Sequence, residues 1–224
     1  MGSSPYQCGV VMTSLLGVKV FACLVLICIV LFSDCIRVIA EEGVLRQTLL
    51  LYLHILSLGA WIGMQAWVIG VAGIVMYLNM PRHVFGHIQS KLWPLFYCLG
   101  SGLSLLGILT NTAAMNTTAK KNSREEIQQV SGLLMSLICC LLNAFLLEPR
   151  GTRLWMARFD YEQKQGYGQE VGPLKNKEGL KTKRYKELTD KFARVHGCSS
   201  IVTVFAFVGC LVHLGYLTHH LVST

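Results

Sequence analysis

Three polar side chains stand in stretches of sequence that give them no water: His54 and Gln65 within residues 49–78, and Asn143 within residues 130–147. An imidazole or a carboxamide in such a place binds an ion, binds a solute or bonds to a neighbouring helix, because lipid supplies no partner. At helical spacing His54, Trp61 and Gln65 fall within about 40° of one another and form one stripe. Glu148 and Arg150 emerge together in "NAFLLEPRGTRLW", residues 143–155, and His196 opens the last apolar stretch. A charge-assisted cluster of Glu148 with Arg82 or Arg150, and of His196, is therefore expected where these segments converge. The plainer alternative is a salt bridge that only fixes the loops, worth under about 1 kcal/mol. His83 and His87 stand at i and i+4, a chelating spacing on a helix, but two ligands do not complete a metal set.

Such side chains need long apolar helices to carry them. With 53% hydrophobic residues, 14% charged residues and a mean hydropathy of +0.49, the 224-residue chain is too apolar for an ordinary soluble domain. It reads as an all-α, multi-pass membrane protein, a four-helix transmembrane bundle plus an extra N-terminal hydrophobic helix. Spans are expected at about 49–78, 92–115, 130–147 and 198–222, near the ~20 residues that a helix needs to cross hydrocarbon. Residues 10–32 are a further apolar stretch, read as an anchor helix or as a signal peptide. Leu31, bulky at the −3 position of a cut after Ser33, favours the anchor. The expected division is an extension at 1–44 and a membrane domain at 45–224. Glu148 is expected to end the third of the four spans, with Pro149 starting a new segment. Asn143, Gln65 and His54 are expected to approach one another, with Gln65 nearer to Asn143 in depth. Gly59, Gly63, Ala66 and Gly70 form a small-residue stripe opposite His54, where a neighbouring helix or a second copy in a homo-oligomer is expected to pack.

Of the 20 Lys and Arg, 12 lie between Arg150 and Arg194. Adding Arg82 and Lys91 gives 14 on one side of the bundle, against 5 on the other: Arg37, Arg46, Lys120, Lys121 and Arg124. That asymmetry places the 148–197 loop in the cytoplasm and the C-terminus outside. The expected membrane is the plasma membrane or a secretory or endosomal one. Within the loop Tyr185, Leu188, Phe192 and Val195 recur at helical spacing. An amphipathic segment on anionic lipid headgroups is thus expected before the last span. The net charge of +8 is assigned to the membrane surface and not to nucleic acid. Asn116-Thr117-Thr118 is a glycosylation sequon on the outer side. Six of the nine cysteines lie in apolar runs and none forms a CxxC pair, which points to packing and not to a disulfide framework or a zinc site.

Enzyme signatures such as GxSxG, a P-loop or HExxH are missing from the sequence, so a non-enzymatic protein without a cofactor is expected. Four ordered motifs, "HILSLGAWIGMQAW" (54–67), "PRHVFGHIQSK" (81–91), "NAFLLEPRGTRLW" (143–155) and "RVHGCSS" (194–200), together resemble the transmembrane protein 205 family of four-helix membrane proteins. The family pattern falls on His54, Trp61, Gln65, Pro81, Arg82, His83, Phe85, Gln89, Ser90, Lys91, Asn143, Glu148, Pro149, His196, Gly197 and Ser199. The resemblance implies a link to resistance against platinum drugs, through export or vesicular trafficking, and a distant similarity to copper-resistance membrane proteins.

Two classes of function follow from the residues themselves. In one, a bundle moves or sequesters a solute, with His54, Gln65, Asn143 and sulfur atoms such as that of Met64 touching a soft metal. In the other, a haem or metal redox protein uses the intramembrane histidines His54 and His213 as axial ligands. A structural or adaptor role is the remaining alternative.

Overall fold

The computed structural model describes residues 43–115, 123–174 and 178–223. The 10–32 stretch and the Asn116 sequon lie outside them, as does nearly all of the 1–44 extension. Among the described residues, four helical segments are long and apolar enough to cross a membrane: Leu45–Asn79, Arg82–Ala114, Gln129–Lys164 and Lys183–His219. The chain is an all-α membrane bundle.

Helix α1, Gly43–Trp67, widens into a π turn at Val68–Ala72 and continues as α2, Gly73–Asn79. It stops because Met80 precedes Pro81 and takes the extended conformation (φ −115°, ψ 148°) that a following proline imposes. Helix α3, Arg82–Met115, begins at once and runs back with Pro94 inside it. Helix α4, Ser123–Leu142, passes through a second π turn, Asn143–Leu147, into α5, Glu148–Lys164. The expectation that the helix ends at Glu148 is therefore corrected. Pro149 brings no N–H to the ladder and its ring crowds the preceding turn, and the wide turn just before it accommodates both defects without a break.

Helix α6 is a single rod, Lys183–Ser223, of 41 residues. At 1.5 Å per residue it is about 60 Å long, twice the hydrocarbon thickness. The amphipathic segment expected before the last span is thus the lower part of that span's own helix. Its Phe192 packs on Trp155 of α5, with ring centroids 5.3 Å apart. Helices α5 and α6 project together beyond the apolar zone, where residues 165–182 connect them and form one bridge back to the α2–α3 corner, Pro81 with Val171. We call this the loop end of the bundle and the opposite one the far end.

The main packing is α4 on α6, α1 on α3 and α3 on α4. Trp61, 1% exposed, anchors the core, and its ring fills the space that a side chain at Gly100 would take. The closest backbone approach joins Gly132 on α4 to Gly209 on α6, where a Cβ on either glycine would strike the other's carbonyl oxygen. Small-residue packing therefore exists, but on a different helix pair from the one expected. A Cβ at Gly59, Gly63 or Gly70 meets nothing within 4 Å, so that stripe faces away from the bundle. Exposed Ile55, Leu56, Ile201, Val204 and Phe205 stud the outer surfaces, as lipid contact requires.

Candidate functional site: a polar seam and a cavity at the loop end

The polar residues of the four spans meet along the bundle axis at three depths. At the far end His54 Nε2 faces His213 Nε2 at 2.8 Å. His54 Nδ1 lies 3.0 Å from the Gly107 carbonyl and 3.2 Å from the Thr110 hydroxyl. The ring centroids are 4.9 Å apart, edge to face. That leaves no room for a porphyrin between the rings, so the axial-ligand expectation is not supported.

At mid-depth Trp61 Nε1 donates to Ser136 Oγ over 2.9 Å, and Ser136 also bonds to Ser104 at 3.0 Å. Cys210 Sγ donates to the same Ser136 oxygen over 3.4 Å, and Gln65 Nε2 reaches Cys210 Sγ at 4.0 Å. The Gln65 carbonyl oxygen has no partner among the described residues. Nearer the loop end, Ser199 Oγ donates to Asn143 Oδ1 over 2.7 Å while Asn143 Nδ2 donates to Thr203 Oγ1 over 3.2 Å. Tyr97 OH closes this group at 3.0 Å from Thr203. Asn143 is fully buried at the start of the second π turn. His54, Gln65 and Asn143 are thus one seam but not one cluster, because each finds its partner on α6 at its own depth. The Asn143–Gln65 pairing is corrected, and with it the idea that these two, His54 and Met64 ligate one metal. Among the described residues no group of three His, Cys, Asp or Glu could hold an ion.

Below this seam a cavity opens at the loop end. Its larger part, about 490 Å³, is lined by Tyr77, Arg82, Phe85, Gln89, Phe159 and others. A smaller part of about 160 Å³ reaches inward to Glu148, Thr152, Ser199 and Thr203. Trp93, Trp155, Phe192, His196 and Ser200 line both parts. Glu148 accepts a hydrogen bond from Thr152, one helical turn on. His196 stacks on Phe192 with centroids 5.4 Å apart. Glu148 and His196 therefore share a cavity wall, as their expected convergence required, but neither forms the ion cluster. Arg150 is exposed, and Lys91 is exposed on the first turns of α3. Gln89 is 2% exposed, and its carboxamide oxygen has no partner among the described residues.

Arg82 goes elsewhere. It forks onto Glu162, Nε to Oε2 at 3.1 Å and Nη2 to Oε1 at 3.0 Å. His83 Nε2 bonds to Glu162 Oε2 at 2.9 Å, Tyr185 OH donates to Oε1 over 2.7 Å, and Arg158 Nε stands 3.4 Å from Oε1. Glu162 is wholly buried among them. It sits four turns past Leu147, where the apolar run ends. Burial pushes the Glu162 carboxyl up, but the hydrogen bonds from Arg82, Tyr185 and His83 outweigh it and hold the group below the usual carboxylate range. The His83–His87 chelate is corrected too: His83 is held by Glu162 and stacks on Phe159, and His87 meets the edge of the same ring. Backbone bonds from Arg82 N to Glu170 O (2.8 Å) and His83 N to Gly168 O (3.1 Å) tie the loop to this knot.

Sequence reasoning missed Glu162, Arg158, Ser136 and Ser104. Trp155, Arg158, Phe159 and Glu162 recur at i, i+3, i+4 and i+7, a buried helical face that periodicity alone reveals. The two serines carry no such signal, since small hydroxyls are ordinary in membrane helices.

Comparison with known proteins agrees with this architecture. Residues 56–160 match a family described as a domain of unknown function (DUF4149). Transmembrane protein 205 of Danio rerio is 34% identical over 180 residues, covering 75% of this chain and 92% of that protein. No solved structure matches the chain. At that identity over nearly the whole length of the relative, the chain belongs to the transmembrane protein 205 family.

Proposed function

We propose that this protein is a non-enzymatic membrane bundle that takes up a small solute at its loop end and exports or sequesters it, and that platinum drugs or soft metal compounds are the class of solute. The observation that carries the reading is Gln89, which lines a cavity of about 490 Å³ and whose carboxamide oxygen is buried without a partner among the described residues. An orphaned buried acceptor costs roughly 1–3 kcal/mol, which a solute bearing an N–H or O–H donor relieves on binding. An ammine-bearing platinum compound is such a donor. Aromatic walls suit the desolvation of its carrier face. Above the cavity the core holds free thiols at Cys139, Cys140 and Cys210, with Met64 packed beside them, all soft donors.

Loop charge supports a cytoplasmic loop end, with the basic residues of 148–197 meeting anionic headgroups. Uptake would then proceed from the cytoplasm. The open stripe of Gly59, Gly63, Ala66 and Gly70 leaves a face for self-association. The deciding experiment compares cells that express the wild type, Gln89→Leu and Glu148→Gln at matched membrane levels. Platinum content and survival under drug are measured. Both variants should lose tolerance and retain platinum like cells without the protein. Tolerance equal to the wild type in both would sink the cavity reading. Maleimide labelling of a cysteine placed at exposed Gln163 in sealed cells tests the topology, and labelling from outside would reverse it.

A further inference from the structure

The contacts of the His54–His213 pair ask for one more hydrogen than two neutral imidazoles possess. His213 Nδ1 faces the Gln129 carbonyl and His54 Nδ1 faces the Gly107 carbonyl at 3.0 Å. Carbonyl oxygens only accept, so both contacts are hydrogen bonds only when each Nδ1 carries a hydrogen. Two neutral rings in that tautomer would point lone pairs at each other, yet the Nε2 atoms stand 2.8 Å apart, the length of a hydrogen bond. A zinc-like ion held at about 2.0 Å by both nitrogens at a tetrahedral angle would set them about 3.3 Å apart, so the spacing fits a shared proton better than such a metal.

We propose that His54 and His213 form a proton-binding site at the far end of the bundle, where one excess proton is shared between the two Nε2 atoms. Thr110 makes the site reversible. In the neutral state His54 Nε2–H donates to His213 Nε2, and the Thr110 hydroxyl, 3.2 Å from His54 Nδ1, turns to donate to it. On uptake of a proton from water, His54 Nδ1 carries a hydrogen to Gly107 O. Thr110 then donates to the Leu106 carbonyl at 2.8 Å. One proton enters, the pair gains one positive charge, and no other bond changes.

Both rings are almost fully buried, at 2% and 1% exposure, so the surroundings decide whether that charge is tolerated. The groups facing the pair are each other, Thr110 and Gly107 on α3, and Gln129 on α4, with no carboxylate or cation acting on either ring among the described residues. The nearest charged residues along the packed elements are Arg46 on α1 and Arg124, Glu125 and Glu126 at the start of α4. On α3 there is none after Lys91, and on α6 none after Arg194. Cys210, one turn from His213, is taken by Ser136. Among the described residues the pair therefore holds its proton by ring-to-ring sharing and two carbonyls, and the site is separate from any solute at the loop end.

The test is a pH titration of the full chain in nanodiscs with ¹⁵N-labelled histidine, read by NMR of the ring nitrogens. His54 and His213 should change together in one step, with a single proton per pair. His213→Gln should abolish the joint step. Thr110→Val keeps the shape but removes the neutral state's donor, so the midpoint should rise by about half to one pH unit, the worth of one hydrogen bond. Two independent single-histidine titrations, no proton uptake while the protein stays folded, or an unmoved midpoint in Thr110→Val each overturn the proposal.

Discussion

Replacing Glu162 with Gln should destabilise the protein more than any other single change among its charged residues. Glu162 has no solvent exposure, and its two nearest guanidinium partners, Arg82 and Arg158, are 16% and 10% exposed. Exposed ion pairs contribute about 0–1 kcal/mol, whereas removing one partner of a buried pair costs about 3–5 kcal/mol because the other charge is left uncompensated. Arg82 can partly rehydrate, so the lower end, about 3 kcal/mol, is the expected loss. For a chain of this size that corresponds to a fall of roughly 6–12 °C in Tm. Glu187→Gln, on the exposed face of α6, is the control and should move Tm by under about 3 °C. The pH dependence follows in sign. The Glu162 carboxyl is held below its unfolded value, so it stabilises the fold above that unfolded value, and the contribution is lost as pH falls through the folded one. Wild-type Tm in detergent should therefore drop below about pH 4, and the gap to Glu162→Gln should close there. A Tm within 2 °C of wild type at neutral pH, or a gap that does not close in acid, would refute the claim that this knot holds the loop end.

Two further outcomes concern packing. Leu58 is 4% exposed in the core while Gly63 faces open space. Leu58→Ala should thus cost about 2–5 kcal/mol and Gly63→Leu close to nothing in monomeric detergent complexes, the reverse of what the small-residue stripe suggests. Equal losses in thermal stability would show that the stripe is buried after all. Gly132→Ala places a methyl against the Gly209 carbonyl, so α4 and α6 must separate; folding yield should collapse, and a normal yield with unchanged Tm would contradict the close approach.

How much of this was legible in the sequence depends on the range of the interaction concerned. Spans and their order follow from apolar runs, which are local, and the four helices lie where those runs put them. Charges read as boundaries misplace the helix ends. In fact Glu148 and Pro149 are carried inside a continuous helix by a π turn that no residue pattern announces. That His54, Trp61 and Gln65 share a buried stripe was readable from angle alone, and all three are at most 2% exposed. Their partners were not readable. His213, Ser136 and Cys210 are 159, 75 and 145 residues away from them respectively, and a single sequence carries no information on which helix faces which. Arg82 shows the cost of that: the sequence offers it Glu148, at the expected end of the helix, when its partner is Glu162, four turns farther on.

Among the described residues the carboxamide oxygens of Gln65 and Gln89 are both unpartnered, and they look alike by burial but differ in what surrounds them. Gln65 projects into the core beside Trp61 and Cys210 and lines neither part of the loop-end cavity, so a solute held there does not meet its oxygen. Gln89 lines about 490 Å³ of space walled by aromatic rings. The same deficit becomes a recognition element only where a solute can enter. Changing either residue to Leu should relieve the buried polar group and leave the fold as stable or more so, by up to about 1–3 kcal/mol. A functional loss confined to Gln89→Leu, with Gln65→Leu tolerant to drug as the wild type is, locates the site at the loop end. If Gln65→Leu loses tolerance and Gln89→Leu keeps it, the solute meets the core seam instead, and the cavity is a by-product of how the long α5 and α6 splay past the apolar zone.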